Sequence, residues 1–264
     1  AAIRILYFGL AGAIFFGRVN RILSRAPVHF SGPLCIQYDA CRETWNLDAS
    51  TSNYPTLEFR IVHNKANMKG WEMLNVSLKC MVAIDVPSSS QSHDLSVLFA
   101  VESEHDSHIP KQTYHKVQLE GDTHPYFKRV WLCRHVLCEQ SPLLTKTVRS
   151  EIRRLGGWPH RRSNHSAIRE SLVNFKTMIV TMTGTSNITS SGVFAEKRYA
   201  YEDIFVGWKF AGLIYLKKCS MGEKMMVDMT LTHDIRPQGP GEEEPLQPSR
   251  FFSRPRRLSS SVNM

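Results

Sequence analysis

From Val76 to Ile84 every second residue is apolar: Val76, Leu78, Cys80, Val82 and Ile84 alternate with Ser77, Lys79, Met81 and Ala83. A period of two places one set of side chains on one face of an extended chain, so this stretch predicts a half-buried β-strand. Residues 97–101 form another short apolar run, and Phe127, Val130, Trp131, Leu132 and Val136 form a β-prone segment. Ser141-Pro142 follows, offering a side-chain acceptor at an N-cap and a ring in a first turn that loses no backbone donor. A helix is expected from Pro142 to Leu155, with Leu144, Val148, Ile152 and Leu155 on one face; Gly156-Gly157 and Pro159 stop it. Residues 88–92 read as a polar turn and residues 102–113 as a surface loop rich in His and Glu. Many short strands with one or two short helices predict an immunoglobulin-like β-sandwich.

The first 17 residues are almost wholly apolar, interrupted by Arg4, and pass straight into Arg18, Arg21 and Arg25. A helix of that length covers about 25 Å, short of the roughly 30 Å hydrocarbon core of a bilayer. A signal peptide would carry a basic start and a small-residue cleavage site instead. We read residues 1–17 as the cytoplasmic end of a truncated transmembrane helix, its arginines on the positive, inner side. A buried amphipathic helix of a soluble protein is the alternative. Residues 18–29 form a basic linker and residues 30–235 the β-domain. Residues 236–264, with Pro, Gly, a Glu run and Ser-Arg-Pro-Arg-Arg-Leu-Ser, read as a disordered tail.

The net charge of +9 favours an anionic surface. No Lys/Arg block outside the linker and tail is long enough for a nucleic-acid stripe, so a membrane is the expected partner and nucleic acid is not. Six scattered cysteines without a CxxC pair argue against zinc and for a reducing compartment. No metal and no cofactor is expected. Asn75, Asn164 and Asn187 open formal glycosylation sequons, two of them in apparent strands.

Residues 121–144 contain His124-Pro125, Trp131, His135-Val136 and Ser141-Pro142-Leu143. This wording resembles the signature of the cytoplasmic domain in inward-rectifier potassium channels, the bacterial members especially. Other blocks agree, in the same order: Gly9-Leu10-Ala11 with Phe16, Arg18 and Arg21; Phe30-Ser31 with Leu34-Cys35-Ile36; Leu57-Glu58-Phe59-Arg60-Ile61 with Asn67-Met68-Lys69; and residues 179–185 with Tyr199, Asp203-Ile204 and Gly207-Trp208-Lys209-Phe210. The resemblance covers roughly residues 9–235. It implies a subunit, or a fragment of one, that assembles as a homotetramer or with related subunits. Its β-domain would extend the potassium path and couple lipid or ligand binding to a gate at the plasma membrane. No TVGYG-like filter loop occurs in these residues, and a filter needs such a ring of carbonyls. A membrane-tethered lipid-sensing or interaction protein of the same fold, with no pore of its own, is the rival.

The resemblance also implies roles. Phe16 aligns with the aromatic ring that closes the inner-helix bundle. Ser190, Ser191, Gly192 and Val193 fall near the tip of the loop that girdles the cytoplasmic pore, where Gly192 could supply unusual backbone angles. Arg18, Arg21, Arg25 and Lys69 occupy positions where the family gathers basic residues for anionic lipid, phosphoinositide included; they could equally do no more than anchor the helix end. The positions that hold polyamines in strong rectifiers align with Phe8, Asn75 and Asn187, all uncharged, so weak rectification is expected. Asp85 or Glu196 could line the pore in their place. In the tail, Arg256-Arg257-Leu258-Ser259 has the form basophilic kinases select, which makes Ser259 a phosphorylation candidate.

Enzymatic readings are weaker. His93, His105, His108 and His115 lack a fixed ligand spacing. His124, His135 and Glu139 could be drawn as an acid–base set, but the family motif accounts for them by packing and hydrogen bonding. Residues 184–192 resemble a phosphate-cradling loop in composition and lack the lysine such a loop requires. No enzyme activity is expected.

Overall fold

The computed structural model of the chain describes residues 2–37, 54–85, 112–160, 164–219 and 222–237. These residues are mainly β, in keeping with a β-sandwich. One sheet is built on β3 (Thr56–His63), which pairs along one side with β1 (Val28–Phe30) and β2 (Leu34–Gln37), and along the other with β7 (Val130–Val136). A short β10 (Ile204–Val206) adds in parallel to β2. The other sheet is built on β4 (Met73–Asp85). β5 (Gln112–Val117) and β6 (Thr123–Phe127) share one of its edges, and β8 (Thr177–Ser186) and β9 (Gly192–Tyr199) follow on the other. Inner faces from both sheets meet in one apolar core, with Leu57, Phe59 and Ile61 from β3 and Val76, Leu78, Cys80 and Val82 from β4. The Phe59 and Tyr199 rings touch across it, and the Tyr199 hydroxyl donates to the Ser31 carbonyl.

The alternation expected at 76–84 is present, with one exception. Lys79 and Met81 are exposed while Val76, Leu78, Cys80 and Val82 are buried, but Ala83 is buried too. A bulge before Ser77 leaves Asn75 at φ 49°, a conformation that asparagine tolerates better than most residues.

Every residue of β3 is buried because the chain's C-terminal stretch covers its second face. Glu58 accepts from Arg134 on β7 at 2.8 Å. The Arg60 guanidinium donates to the carbonyls of Ala211, Leu231, Thr232 and Asp234 and lies over the Phe210 ring. Those carbonyls belong to segments around β11 (Trp208–Phe210) and β14 (Ile235–Pro237), which pair with each other. A hairpin of β12 (Ile214–Cys219) and β13 (Gly222–Val227) lies between them in sequence; the Asn67 amide clamps the Val227 backbone through both its N–H and its carbonyl.

Helix α1 (Ala2–Leu23) runs past the expected limit at residue 17 and absorbs the first half of the expected linker, so Arg18 and Arg21 sit on its last turns. No helix among the described residues is long and apolar enough to cross a membrane. Helix α2 (Lys146–Leu155) starts later than Pro142. Its N-cap is Thr145, which accepts from the Val148 N–H, while Ser141 is held elsewhere by His135. Leu144 therefore packs before the helix, and Leu155 lies exposed on it. The stop at Gly156 is as expected: φ is 67° and its N–H closes onto Ile152. Helix α3 (His165–Glu170) is capped by Asn164, and Asn187 lies in the β8–β9 turn, so only Asn75 of the three sequons is in a strand. Gln112 and Thr113, expected in a surface loop, begin β5. The turn at 88–92, the apolar run at 97–101, His93, His105, His108 and the tail with Ser259 lie outside the described residues.

Candidate functional site

Just after α1 the backbone changes partners in quick succession. Phe194 N–H donates to the Ser24 carbonyl at 2.7 Å, Ala26 N–H donates back to the Phe194 carbonyl at 2.8 Å, and Asn64 N–H donates to the Pro27 carbonyl at 2.8 Å. The linker is thus stitched to β9 on one side and to the turn after β3 on the other. β9 leaves the β8–β9 hairpin, and the turn after β3 carries Lys69. Backbone hydrogen bonds thus join the end of α1 to the start of β9 and to the start of the turn after β3.

Glu72 completes the junction. Lys128 Nζ meets its Oε1 at 2.6 Å, Gly70 N–H donates to the same oxygen, and Asn187 Nδ2 donates to Oε2 at 3.2 Å. Asn187 N–H also donates to the Glu72 carbonyl. The Lys128 hydrogen bond, helped by Tyr126 and Asn187, outweighs burial and holds the carboxyl down to about 2. One charge therefore ties the hairpin, the turn and the β6–β7 connection together. Sequence reading missed it. The signal was present: Glu72 is the sole carboxylate between Arg60 and Ile84, in a stretch holding Lys65, Lys69 and Lys79.

The predicted positions divide. Phe16 is 68% exposed on α1, beside exposed Leu10, Ile14 and Phe15. Arg18, Arg21, Arg25 and Lys69 are all exposed, and none is ion-paired among the described residues. Phe8 lies within α1. Ser190 and Ser191 are in the hairpin turn, but the left-handed residue is Ser190, at φ 50°, and not Gly192. A Ser190 N–H bond to the Ser186 carbonyl closes the turn. Val193 is no part of the tip: it is buried in the core, paired with Gly184. Asn187 does not stand free, since Glu72 holds its amide. Asn75 is exposed at the bulge, Asp85 is exposed at the end of β4, and Glu196 pairs with Arg198.

The acid–base set is not assembled. His135 is buried, with Nδ1 at 2.6 Å from the Gln118 carbonyl, so that nitrogen carries the proton. Nε2 then accepts from the Ser141 hydroxyl at 2.8 Å, and Ser141 in turn accepts from Leu143 N–H. Burial lowers the pKa of His135, which keeps this neutral arrangement. Glu139 pairs instead with Arg153 on the surface, and His124 packs edge-on against Trp131. Of the four histidines considered for metal, His115 is exposed on β5 and contacts Thr113. Among the described residues no three His, Cys, Asp or Glu side chains gather as a metal site would need.

Neither the family models nor the curated proteins compared with this sequence give a match.

Proposed function

We propose that the chain is part of an inward-rectifier-type potassium channel subunit: the cytoplasmic end of its pore-lining helix and the β-domain that regulates it. The observation that carries this reading is the pairing of two features of α1. Its Leu10, Ile14, Phe15 and Phe16 side chains, set around the helix, are each more than half exposed, and its end is hydrogen-bonded to the strand that leaves the β8–β9 hairpin. Four large apolar side chains in water cost several kcal/mol. A bilayer, or the same helix from neighbouring subunits, would remove that cost. In a fourfold bundle Phe16 supplies an apolar constriction, Arg18, Arg21 and Arg25 lie at the inner leaflet, and anionic lipid there acts on the hairpin through the Ser24–Phe194–Ala26 bonds. The tetramer, potassium as the permeant ion and phosphoinositide as the lipid belong to this proposal.

The test is the full translated product of the gene, reconstituted in liposomes with a potassium gradient. The reading expects a filter loop upstream of Ala1, potassium-selective flux, and a higher open probability in Phe16→Ala. A start codon close to Ala1 and no flux overturn it in favour of a tethered sensor without a pore.

A further inference from the structure

We propose that the turn of residues 64–71 is a membrane contact in its own right, seating Met68 and Trp71 among lipid headgroups while Lys65 and Lys69 meet headgroup phosphate. This rests on the reading above for a bilayer at this end of the domain, and adds an apolar anchor to the basic one.

The turn is rigid where it meets the protein. Ala66 is buried in a small cluster with Val62, Leu213 and Val227, and Asn67 is clamped to the Val227 backbone. Ala66 N–H and Met68 N–H close onto the carbonyls of His63 and Lys65, and Lys65 N–H donates to His63 Nδ1. Yet this fixed scaffold leaves two large apolar side chains outside: Met68 is 50% exposed and Trp71 is 37% exposed. A preorganised turn that displays tryptophan and methionine is built to place them against something.

Charge identifies what that is. Lys65 Nζ lies 5.7 Å from the centre of the Trp71 ring, over its face, and neither Lys65 nor Lys69 is ion-paired among the described residues. Glu72, the acidic residue next to the turn in sequence, is occupied by Lys128. A tryptophan with a lysine over its face suits the boundary between headgroups and acyl chains: the ring sits at headgroup depth and the lysine stem lies along it, with its charge outward. The turn also begins at Asn64, bonded to Pro27 just past the arginine-bearing end of α1. An anionic leaflet met by those arginines is therefore the surface complementary to Lys65 and Lys69 as well.

Vesicles with brominated acyl chains report the contact, because bromine quenches a tryptophan that enters the interface. The chain, bound to phosphatidylcholine vesicles containing phosphatidylserine, should show quenching that Trp71→Phe largely abolishes without altering the circular dichroism spectrum. Lys65→Gln and Lys69→Gln should each weaken partition about fivefold. Met68→Ala with Trp71→Ala should weaken partition several-fold even onto phosphatidylcholine alone. Quenching that Trp71→Phe leaves unchanged in vesicle-bound protein overturns the proposal and spares the channel reading. Soluble inositol phosphate bound as tightly as the vesicles, through the same two lysines, also overturns it, in favour of a free-phosphate site. A chain that binds no vesicle of any composition overturns this anchor and the membrane reading of α1 together.

Discussion

β3 and the turn that follows it are joined end to end and treat charge in opposite ways. In the strand, Glu58, Arg60 and His63 are buried, and each is held by partners distant in sequence. In the turn, Lys65 and Lys69 stand in water with no carboxylate of their own among the described residues. A buried charge is tolerated only where the fold supplies its partners, so the strand's polar residues specify one architecture and one C-terminal wrapping. An exposed cation adds little to stability and remains available to something outside. The contrast separates residues that build the molecule from residues that it leaves facing outward.

The largest expected effect belongs to the body. Gly207 has φ 79°, and a Cβ there would lie 2.7 Å from both ring nitrogens of His165. Gly207→Ala thus combines a left-handed backbone with an overlap against a buried ring, at the point where Gly207 N–H bonds Ile36 and β10 gives way to β11. The cost should be roughly 3 kcal/mol or more, read as a large fall in the denaturation midpoint. A variant as stable as the parent would mean that α3 can move freely, and the picture of a tightly specified body would break.

Acid titration sharpens the same contrast at intermediate size. His63 is buried against Phe127 with no hydrogen bond to Nε2 among the described residues, and burial holds its pKa down to about 4, from 6.5. A depressed folded pKa means that the unfolded chain binds the extra proton first. The stability His63 gives is whole above pH 6.5 and is lost as pH falls towards 4, about 1–2 kcal/mol after allowing for solvent relaxation around the ring. Glu72, held down to about 2 from 4.5, adds a second loss between those values. Glu58, raised by burial despite Arg134, works the other way: its gain accrues above pH 4.5 and partly offsets the His63 loss. Chemical denaturation at pH 7, 5 and 3 should show two successive falls. His63→Asn, which keeps an acceptor for the Lys65 N–H, should flatten the first fall and reduce the second to what Glu72 contributes.

How much of this could be read from residues alone depended on range. Alternation from Val76 to Ile84 is local, so the strand was legible; so was the helix stop at Gly156. The start of α2 was not. Ser141 and Thr145 both suit an N-cap, and the choice is made by His135, which claims the Ser141 hydroxyl. The complete burial of β3 was invisible because Arg60 finds its carbonyls some 150–175 residues away. At the junction, the basic residues and a polar hairpin stand out in the sequence, whereas the Glu72–Asn187 bond spans 115 residues and leaves no local trace. Gly192 drew attention as a glycine in a turn; the left-handed angle falls on Ser190, two residues earlier, where its N–H closes the turn onto the Ser186 carbonyl.

The smallest effect tests the boundary between the two regions. Glu72→Gln keeps one oxygen where Gly70 and Asn187 used two, and removes the charge opposite Lys128, whose side chain is 27% exposed. Water can take over much of the lysine's solvation, so the global loss should be only about 1 kcal/mol. The local consequence should be larger than that figure suggests. Asn187 enters the hairpin through Glu72, and the hairpin's remaining bonds lie within residues 186–191. Hydrogen exchange should therefore speed up at Asn187 and Ser190 while the amides of β3 keep their protection. If protection falls in β3 to the same extent, Glu72 belongs to the body, and the junction has no independent freedom through which a membrane signal could reach the hairpin.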